Sequence, residues 1–215
     1  MTATTKNRMV LLLIAGIPLT MILAATWLWY FVAEGELDLI GALGTANRGT
    51  LLQPPREIDA VSKFRGKQEV AFADLEPKWA LLVPWGDGSC DAVCERTLYV
   101  TRQIHVAIGK DFNRIRRLFV STTAAEDITF QLAQTSDGHP APASFVDYLD
   151  HEHRGLQAWR VGSPDFAGLF PEWSADNSSW YLVDTRGWIM MSYNSEIPYK
   201  DVISDLKFLL KNSSD

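Results

Sequence analysis

Cys90 and Cys94 are the only thiols in 215 residues, and three residues separate them. A small domain stapled by disulfides would carry more cysteines at wider spacing. A bridge across so short a loop also adds little to global stability. The pair therefore reads as chemical rather than structural. It lies in Trp79–Cys94, WALLVPWGDGSCDAVC. Trp79–Pro84 is a short apolar run that predicts a buried strand. Trp85–Ser89 is a Gly-rich turn, Cys90 falls at the loop-to-helix junction, and Cys94 stands near the helix start. A thiol at a helix N-terminus feels the positive end of the dipole, which favours thiolate and with it nucleophilicity or metal binding. If 90–94 is helical, the spacing of four puts both sulfurs on one face, about one turn apart. Such a pair can close a disulfide or hold Cu(I) between two soft thiolates.

The elements needed to hold this pair can be read around it. From about residue 71 the pattern alternates strands and helices. Cys94–Gly109 has helical periodicity and stops at Gly109. Arg117–Ser121 reads as a second strand, Ala124–Gln134 as a helix, and Asp137–His153 as a polar, Pro-interrupted loop with a short helix. Gln157–Val161 is a short strand followed by a Gly/Ser/Pro break. Trp180–Asp184 and Trp188–Tyr193 flank Thr185-Arg186-Gly187, a hairpin turn with Gly where a positive φ is needed. Tyr199–Leu210 closes the chain as an amphipathic helix with Val202, Leu206, Leu209 and Leu210 on one face. This order predicts an α/β domain with a central mixed sheet flanked by helices.

Ahead of that domain, Met9–Ala33 is a run of 25 residues without a charge. As a helix it would extend ~37 Å, enough to cross a bilayer with some tilt, and Pro18 is tolerated inside a membrane helix. Lys6 and Arg8 precede the run, and Glu34, Glu36 and Asp38 follow it. The basic flank is retained in the cytoplasm, so the bulk of the chain is expected outside. Trp27, Trp29, Tyr30 and Phe31 gather at the outer end as an interfacial belt. A cleaved signal peptide would have a shorter apolar run and small residues in place of that cluster. The expected organisation is a cytoplasmic tail over 1–8, a transmembrane anchor over 9–33, a Gly- and Pro-punctuated connector over 34–70, and the α/β domain over 71–215. A bacterial inner membrane, with the domain in the oxidising periplasm, is the compartment where a dithiol pair can cycle.

Charge narrows the function classes. Past residue 33 the chain carries 18 basic against 26 acidic side chains, a net of −8. Nucleic-acid binding needs a basic face and is excluded on this ground. The eight Trp suit a filled core plus interfacial aromatics. Gly86–Gly88 is too short and isolated a turn to cradle a phosphate. His105 is eleven residues past Cys94, nearly the same helix face but ~16 Å along the axis, too far for a shared metal. His139 and the His151-Glu152-His153 triplet fall in the polar stretch and read as surface residues, with recruitment as a substitute ligand the minor alternative.

With these residues in place, the chain resembles the SCO/SenC family of cytochrome c oxidase assembly proteins, which are membrane-anchored and thioredoxin-like. The resemblance spans roughly residues 70–210. It rests on the strand-turn-CxxxC-helix unit, Leu118–Ser121 (LFVS), Tyr181–Gly187 (YLVDTRG) and the C-terminal helix, and on the lead-in Asn47–Arg56 (NRGTLLQPPR). It implies a thioredoxin-like fold, copper as a cofactor or cargo at Cys90 and Cys94, and cytochrome c oxidase or its assembly factors as partner. The family's third copper ligand is a distal His just before the YLVD-like strand. Here that position falls at Asp176, or at Asn177 with a shift of one, and neither is an imidazole. The proline that commonly follows the second family cysteine is replaced by Glu95. These departures place a dithiol redox protein first, with Cys90 as the exposed attacking thiolate and Cys94 as the resolving thiol. A Cu(I) metallochaperone follows, and a non-catalytic docking factor is third. Asp176 is a candidate proton acceptor near Cys90.

Overall fold

The computed structural model describes residues 3–33 and 47–213. The chain divides into two compact units, Met1–Ala46 and Asn47–Asp215. The described part of the first is one helix, α1 (Ala3–Ala33), with Pro18 inside it. It begins within the expected cytoplasmic tail, so Lys6 and Arg8 lie in its first turns. Thr20 and Thr26 return their hydroxyl protons to the carbonyls of Ile17 and Ile22. Among the described residues, no helix is long and apolar enough to cross a membrane. Residues 34–46, which hold Glu34, Glu36 and Asp38, lie outside the described residues.

The second unit is built on an eight-stranded mixed sheet. Its strands are β1 (Thr50–Glu57), β2 (Lys63–Arg65), β3 (Gln68–Val70), β4 (Trp79–Trp85), β6 (Ile115–Ser121), β8 (Leu156–Val161), β9 (Trp180–Val183) and β10 (Trp188–Tyr193). Their order across the sheet is β1-β10-β9-β4-β6-β8-β2-β3. The central strands β4, β6 and β8 are parallel, and β9 runs antiparallel to β4. A separate parallel pair joins β5 (Ser89–Cys90) to β7 (Thr129–Phe130). The helices are α2 (Ala92–Ala107), α3 (Phe145–Glu152), α4 (Ser163–Leu169), α5 (Pro171–Ala175) and α6 (Tyr199–Asn212).

Strand β4 is buried at every position, as expected of a central strand covered on both faces. Its alternate side chains feed two cores. Leu81, Val83 and Trp85 join Leu98 and Ile104 of α2, Phe145 and Tyr148 of α3, and Leu206 of α6. Ala80 and Leu82 join Trp159 of β8 and Phe166 and Leu169 of α4 on the opposite face. The expected thioredoxin-like arrangement of a mixed sheet between helices is therefore present. The β9–β10 hairpin also forms as expected. Gly187 has φ 91°, and the Asp184 carboxylate accepts hydrogen bonds from the Arg186 and Trp188 amides.

Two expectations are corrected. Residues 50–70 are not part of a connector. They supply β1 at one edge of the sheet and β2–β3 at the other, because Leu52 and Ile58 are apolar anchors buried in the second core. The lead-in is fastened too: the Arg48 and Gly49 amides donate to the buried Asp205 carboxylate at 2.9 and 3.0 Å. Nor is Ala124–Gln134 a helix. A single 3-10 turn over Ala125–Asp127 leads into β7. Ile128 is buried and Thr129 exposed, with Phe130 partly buried again, a period of two that suits a strand.

Candidate redox site

The site begins where β4 leaves the sheet. Trp85 is buried, and its indole N–H donates to the Ser89 carbonyl at 2.8 Å, closing the Gly-rich turn on itself. Gly86 is required there: a Cβ at that position would lie 2.7 Å from the Trp173 ring. Trp173 in turn stands edge-on to Trp85 at 5.4 Å between centroids. The turn delivers Cys90 onto β5, and Asp91 then caps α2. Its Oδ1 accepts from the Val93 amide at 2.9 Å and the Cys94 amide at 3.0 Å, satisfying two of the donors that a helix start leaves open. Cys94 is thus the third helical residue.

Cys90 and Cys94 form a disulfide, with Cα atoms 5.2 Å apart. The structure changes two expectations about it. Cys90 stands at the junction before the helix, as expected, but on a strand, so the helical spacing considered for 90–94 does not apply and the sulfurs meet across the capped junction. Cys90 is also not the exposed member, since the two residues are 1 % and 0 % exposed. The reason is tertiary. Strand β7 pairs with β5 in the register Cys90 to Phe130, and the Thr129 amide donates to the Gly88 carbonyl at 2.9 Å. Phe130 stacks on Tyr148 at 4.7 Å.

Glu95 follows Cys94 and is buried. Its carboxylate accepts from the Ser136 amide at 2.8 Å, the Ser136 hydroxyl at 2.6 Å and the Tyr148 hydroxyl at 3.1 Å. Burial, and next the Glu95 charge, push the Tyr148 hydroxyl pKa well above its ordinary value. Beyond Tyr148 lies His153, edge-on at 4.6 Å. Its Nδ1 accepts from the Arg117 guanidinium at 2.9 Å, which leaves the proton on Nε2. Burial first, and then the charges of Arg117 and Arg102, push His153 down to about 2. Burial also pushes Arg117 down to about 9. At neutral pH His153 is a neutral acceptor for a buried cation, and not the surface residue expected.

The other candidates are engaged elsewhere or exposed. Asp176 gives its carboxylate to the Ser178 amide and hydroxyl and to the Asn194 side-chain amide. The Ser178 hydroxyl contributes most to holding it below the usual carboxylate range. Asp176 is thus the organiser of its own loop, and Asn177 is exposed. His105 stacks on Phe112 at 3.9 Å, and burial lowers its pKa. His151 bonds the Asp147 carbonyl at 2.7 Å. Among the described residues, the metal-capable side chains that converge are Asp137, His139 and Glu152, and neither cysteine belongs to them. Arg102 pairs with both carboxylates of that cluster, which accounts for it without an ion. Sequence reasoning misses Asp91, Ser136 and Tyr148, and takes Glu95 only as a departure from the family's proline. Of the three missed, only Asp91 carries a legible signal, an Asp immediately before a helical pattern.

Comparison with known proteins agrees with this architecture. The family described as transmembrane-like, thioredoxin-like, C-terminal domain matches residues 79–213. Among solved structures, apo Sco1 from Thermus thermophilus is 18% identical with a TM-score of 0.53, covering 77% of this chain and 99% of that one. Yeast Sco1 is 13% identical with a TM-score of 0.52, covering 79% and 99%. Yeast Sco1 with copper bound is 14% identical with a TM-score of 0.51, covering 80% and 97%. At these identities the likeness is one of fold, and it bears out the resemblance to Sco proteins at that level. No curated protein matches the chain in sequence. With its mixed sheet, its capped CxxxC junction and the match over 79–213, the chain belongs to the transmembrane-like, thioredoxin-like, C-terminal domain family.

Proposed function

We propose that this chain is a membrane-anchored thiol–disulfide redox protein that acts outside the cytoplasm in assembly of the copper site of cytochrome c oxidase. The observation that carries the redox part is the Cys90–Cys94 disulfide at a capped strand-to-helix junction. The reaction is a two-electron exchange. A substrate thiolate attacks one sulfur of the disulfide, forming a mixed disulfide and releasing the other sulfur as thiolate. A second substrate thiolate then attacks the mixed disulfide. The substrate leaves with its own disulfide, and Cys90 and Cys94 take up the two electrons and two protons. The reverse sequence reduces a substrate disulfide. Asp91 and Glu95 place two carboxylates beside the pair, which opposes the thiolate-favouring helix dipole. A less stabilised thiolate favours the disulfide, so the reduced form is expected to act as a reductant.

The oxidase connection is supported by the sequence resemblance and by the shared fold of the Sco1 structures. The anchor is supported by the uncharged run Met9–Ala33 and by the exposure of Leu12, Ile14, Ile17, Leu23 and Trp29 on α1. The periplasmic side rests on Lys6 and Arg8 before that run and Glu34, Glu36 and Asp38 after it.

Copper carriage is the second reading, favoured by one relative having been solved with copper bound. Copper is then cargo. Reduced Cys90 and Cys94 supply two soft ligands, while Asp176, at the family's His position, is engaged by Ser178 and Asn194.

The test mixes the reduced full chain with a peptide carrying one intramolecular disulfide. Reduction of the peptide with matching loss of two protein thiols, absent in Cys90→Ser and Cys94→Ser, is expected. No transfer, although the two protein thiols react with a small disulfide reagent, would sink the redox reading. Cu(I) titration of the reduced chain against a competing chelator decides the second.

A further inference from the structure

The buried disulfide raises the question of how a substrate thiolate reaches it. The chain from Thr122 to His153 passes over the junction as a strap. It carries β7, which pairs with Cys90's own strand, and Phe130, which stacks on Tyr148 of α3. Three hydrogen bonds from this strap end on one side chain of the other wall, the carboxylate of Glu95. Both donors are strap residues, Ser136 and Tyr148, and the acceptor is the neighbour of Cys94. Other polar ties hold the strap further out: Arg102, also on α2, pairs with Asp137 and Glu152, Arg117 donates to His153, and Thr122 and Thr129 donate to the Gly86 and Gly88 carbonyls.

We infer that Glu95 is the latch of this strap: by holding Ser136 and Tyr148 it keeps the Cys90–Cys94 disulfide closed to thiols, and its release exposes the pair. A buried carboxylate must keep its donors, so the three bonds are made together in the closed state. Opening exchanges them for water, which solvates a freed carboxylate well. Local opening of this kind gives a disulfide an access rate set by the strap rather than by unfolding of the whole domain. Glu95 acts here as a positioning residue through the strap and does not touch the reacting sulfurs.

The inference takes its biological use from the redox reading, but its test does not depend on that reading. The rate of reduction of the Cys90–Cys94 disulfide by a water-soluble phosphine is measured in the full chain. Glu95→Gln, Glu95→Ala, Ser136→Ala and Tyr148→Phe are compared with the unaltered protein. Ile189→Ala, in the core on the opposite face of the sheet, serves as a matched destabilised control. The expected result is reduction at least tenfold faster in both Glu95 variants and a smaller gain in Ser136→Ala and Tyr148→Phe, with the control close to the unaltered protein. Equal rates throughout, or the same acceleration in Ile189→Ala as in Glu95→Gln, would overturn the latch. Failure of the redox reading looks different: a gated disulfide that exchanges with the phosphine but with no protein dithiol.

Discussion

The carboxylate of Asp91 accepts a hydrogen bond from the backbone N–H of Cys94 at 3.0 Å, so the first turn of α2 spends its positive end on a fixed negative charge. That end would otherwise act on the thiolate of Cys94. Asp91→Asn keeps a capping oxygen and removes the charge. Alkylation of reduced Cys94 at neutral pH, measured in a Cys90→Ser background, is expected to rise about two- to fivefold, the size of an ordinary charge–dipole effect. Asp91→Ala removes the cap as well and costs about 1 kcal/mol in denaturant unfolding.

Reduction of the disulfide should leave the fold intact. The closed loop is so short that the chain-entropy contribution is at most about 2 kcal/mol. The reduced chain and the Cys90→Ser, Cys94→Ser double variant are expected to keep their far-ultraviolet circular dichroism, with only a modest fall in the unfolding midpoint. Loss of structure on reduction would mean that the bridge is a staple and not a reactive group.

His153 predicts an acid-sensitive stability. Its folded pKa is depressed to about 2, while an unfolded His titrates near its ordinary 6.5. The contribution is therefore fully present above pH 6.5. It is lost as pH falls towards the folded value, because the unfolded chain takes up a proton that the folded chain refuses. The slope from this residue approaches about 1.4 kcal/mol per pH unit below 6. Unfolding followed from pH 8 to pH 4 should show a component that His153→Gln removes. An unchanged profile in that variant would rule out the assignment.

Gly86 and Trp173 should behave as one contact. Gly86→Ala drives a methyl against the Trp173 ring and is expected to cost about 1–3 kcal/mol. Trp173→Ala alone opens a cavity and is itself destabilising. In the double variant the Gly86→Ala penalty should largely vanish, a non-additivity that identifies direct contact.

Asp176 should matter to its loop and not to exchange. Asp176→Ala removes the acceptor for Ser178 and Asn194 and is expected to lower stability by about 1–2 kcal/mol. The rate of thiol–disulfide exchange should stay within about twofold of the unaltered protein. A large loss of rate with little loss of stability would reinstate Asp176 as a proton acceptor.

Most of the scaffold was legible because its signals are local. A short uninterrupted apolar run such as Trp79–Pro84, ended by Pro84 and a Gly-rich turn, suits a strand covered on both faces. The turn Thr185-Arg186-Gly187 needs its Gly at φ 91°, and α6 shows its buried face in the spacing of Val202, Leu206 and Leu210. The cysteine pair was legible for the same reason: two thiols, one spacing and one junction. What failed depended on partners distant in the chain. Residues 50–70 look like a connector until β10 and β8 supply hydrogen-bonding edges for them. Thr129–Phe130 looks helical in composition until β5 offers a strand to pair with.

The sequence by itself determined that an uncharged apolar run precedes an acidic α/β domain, and that the domain brings two thiols to the end of its central strand. Composition, hydrophobic period and spacing carry that much. Only the tertiary structure decided that both cysteines are sealed, that Glu95 is the acceptor for Ser136 and Tyr148, and that His153 is a buried partner of Arg117. Each of these joins residues 36 to 53 positions apart. Burial of a polar group is settled by whether donors arrive from elsewhere in the fold, and no local pattern of residues records that.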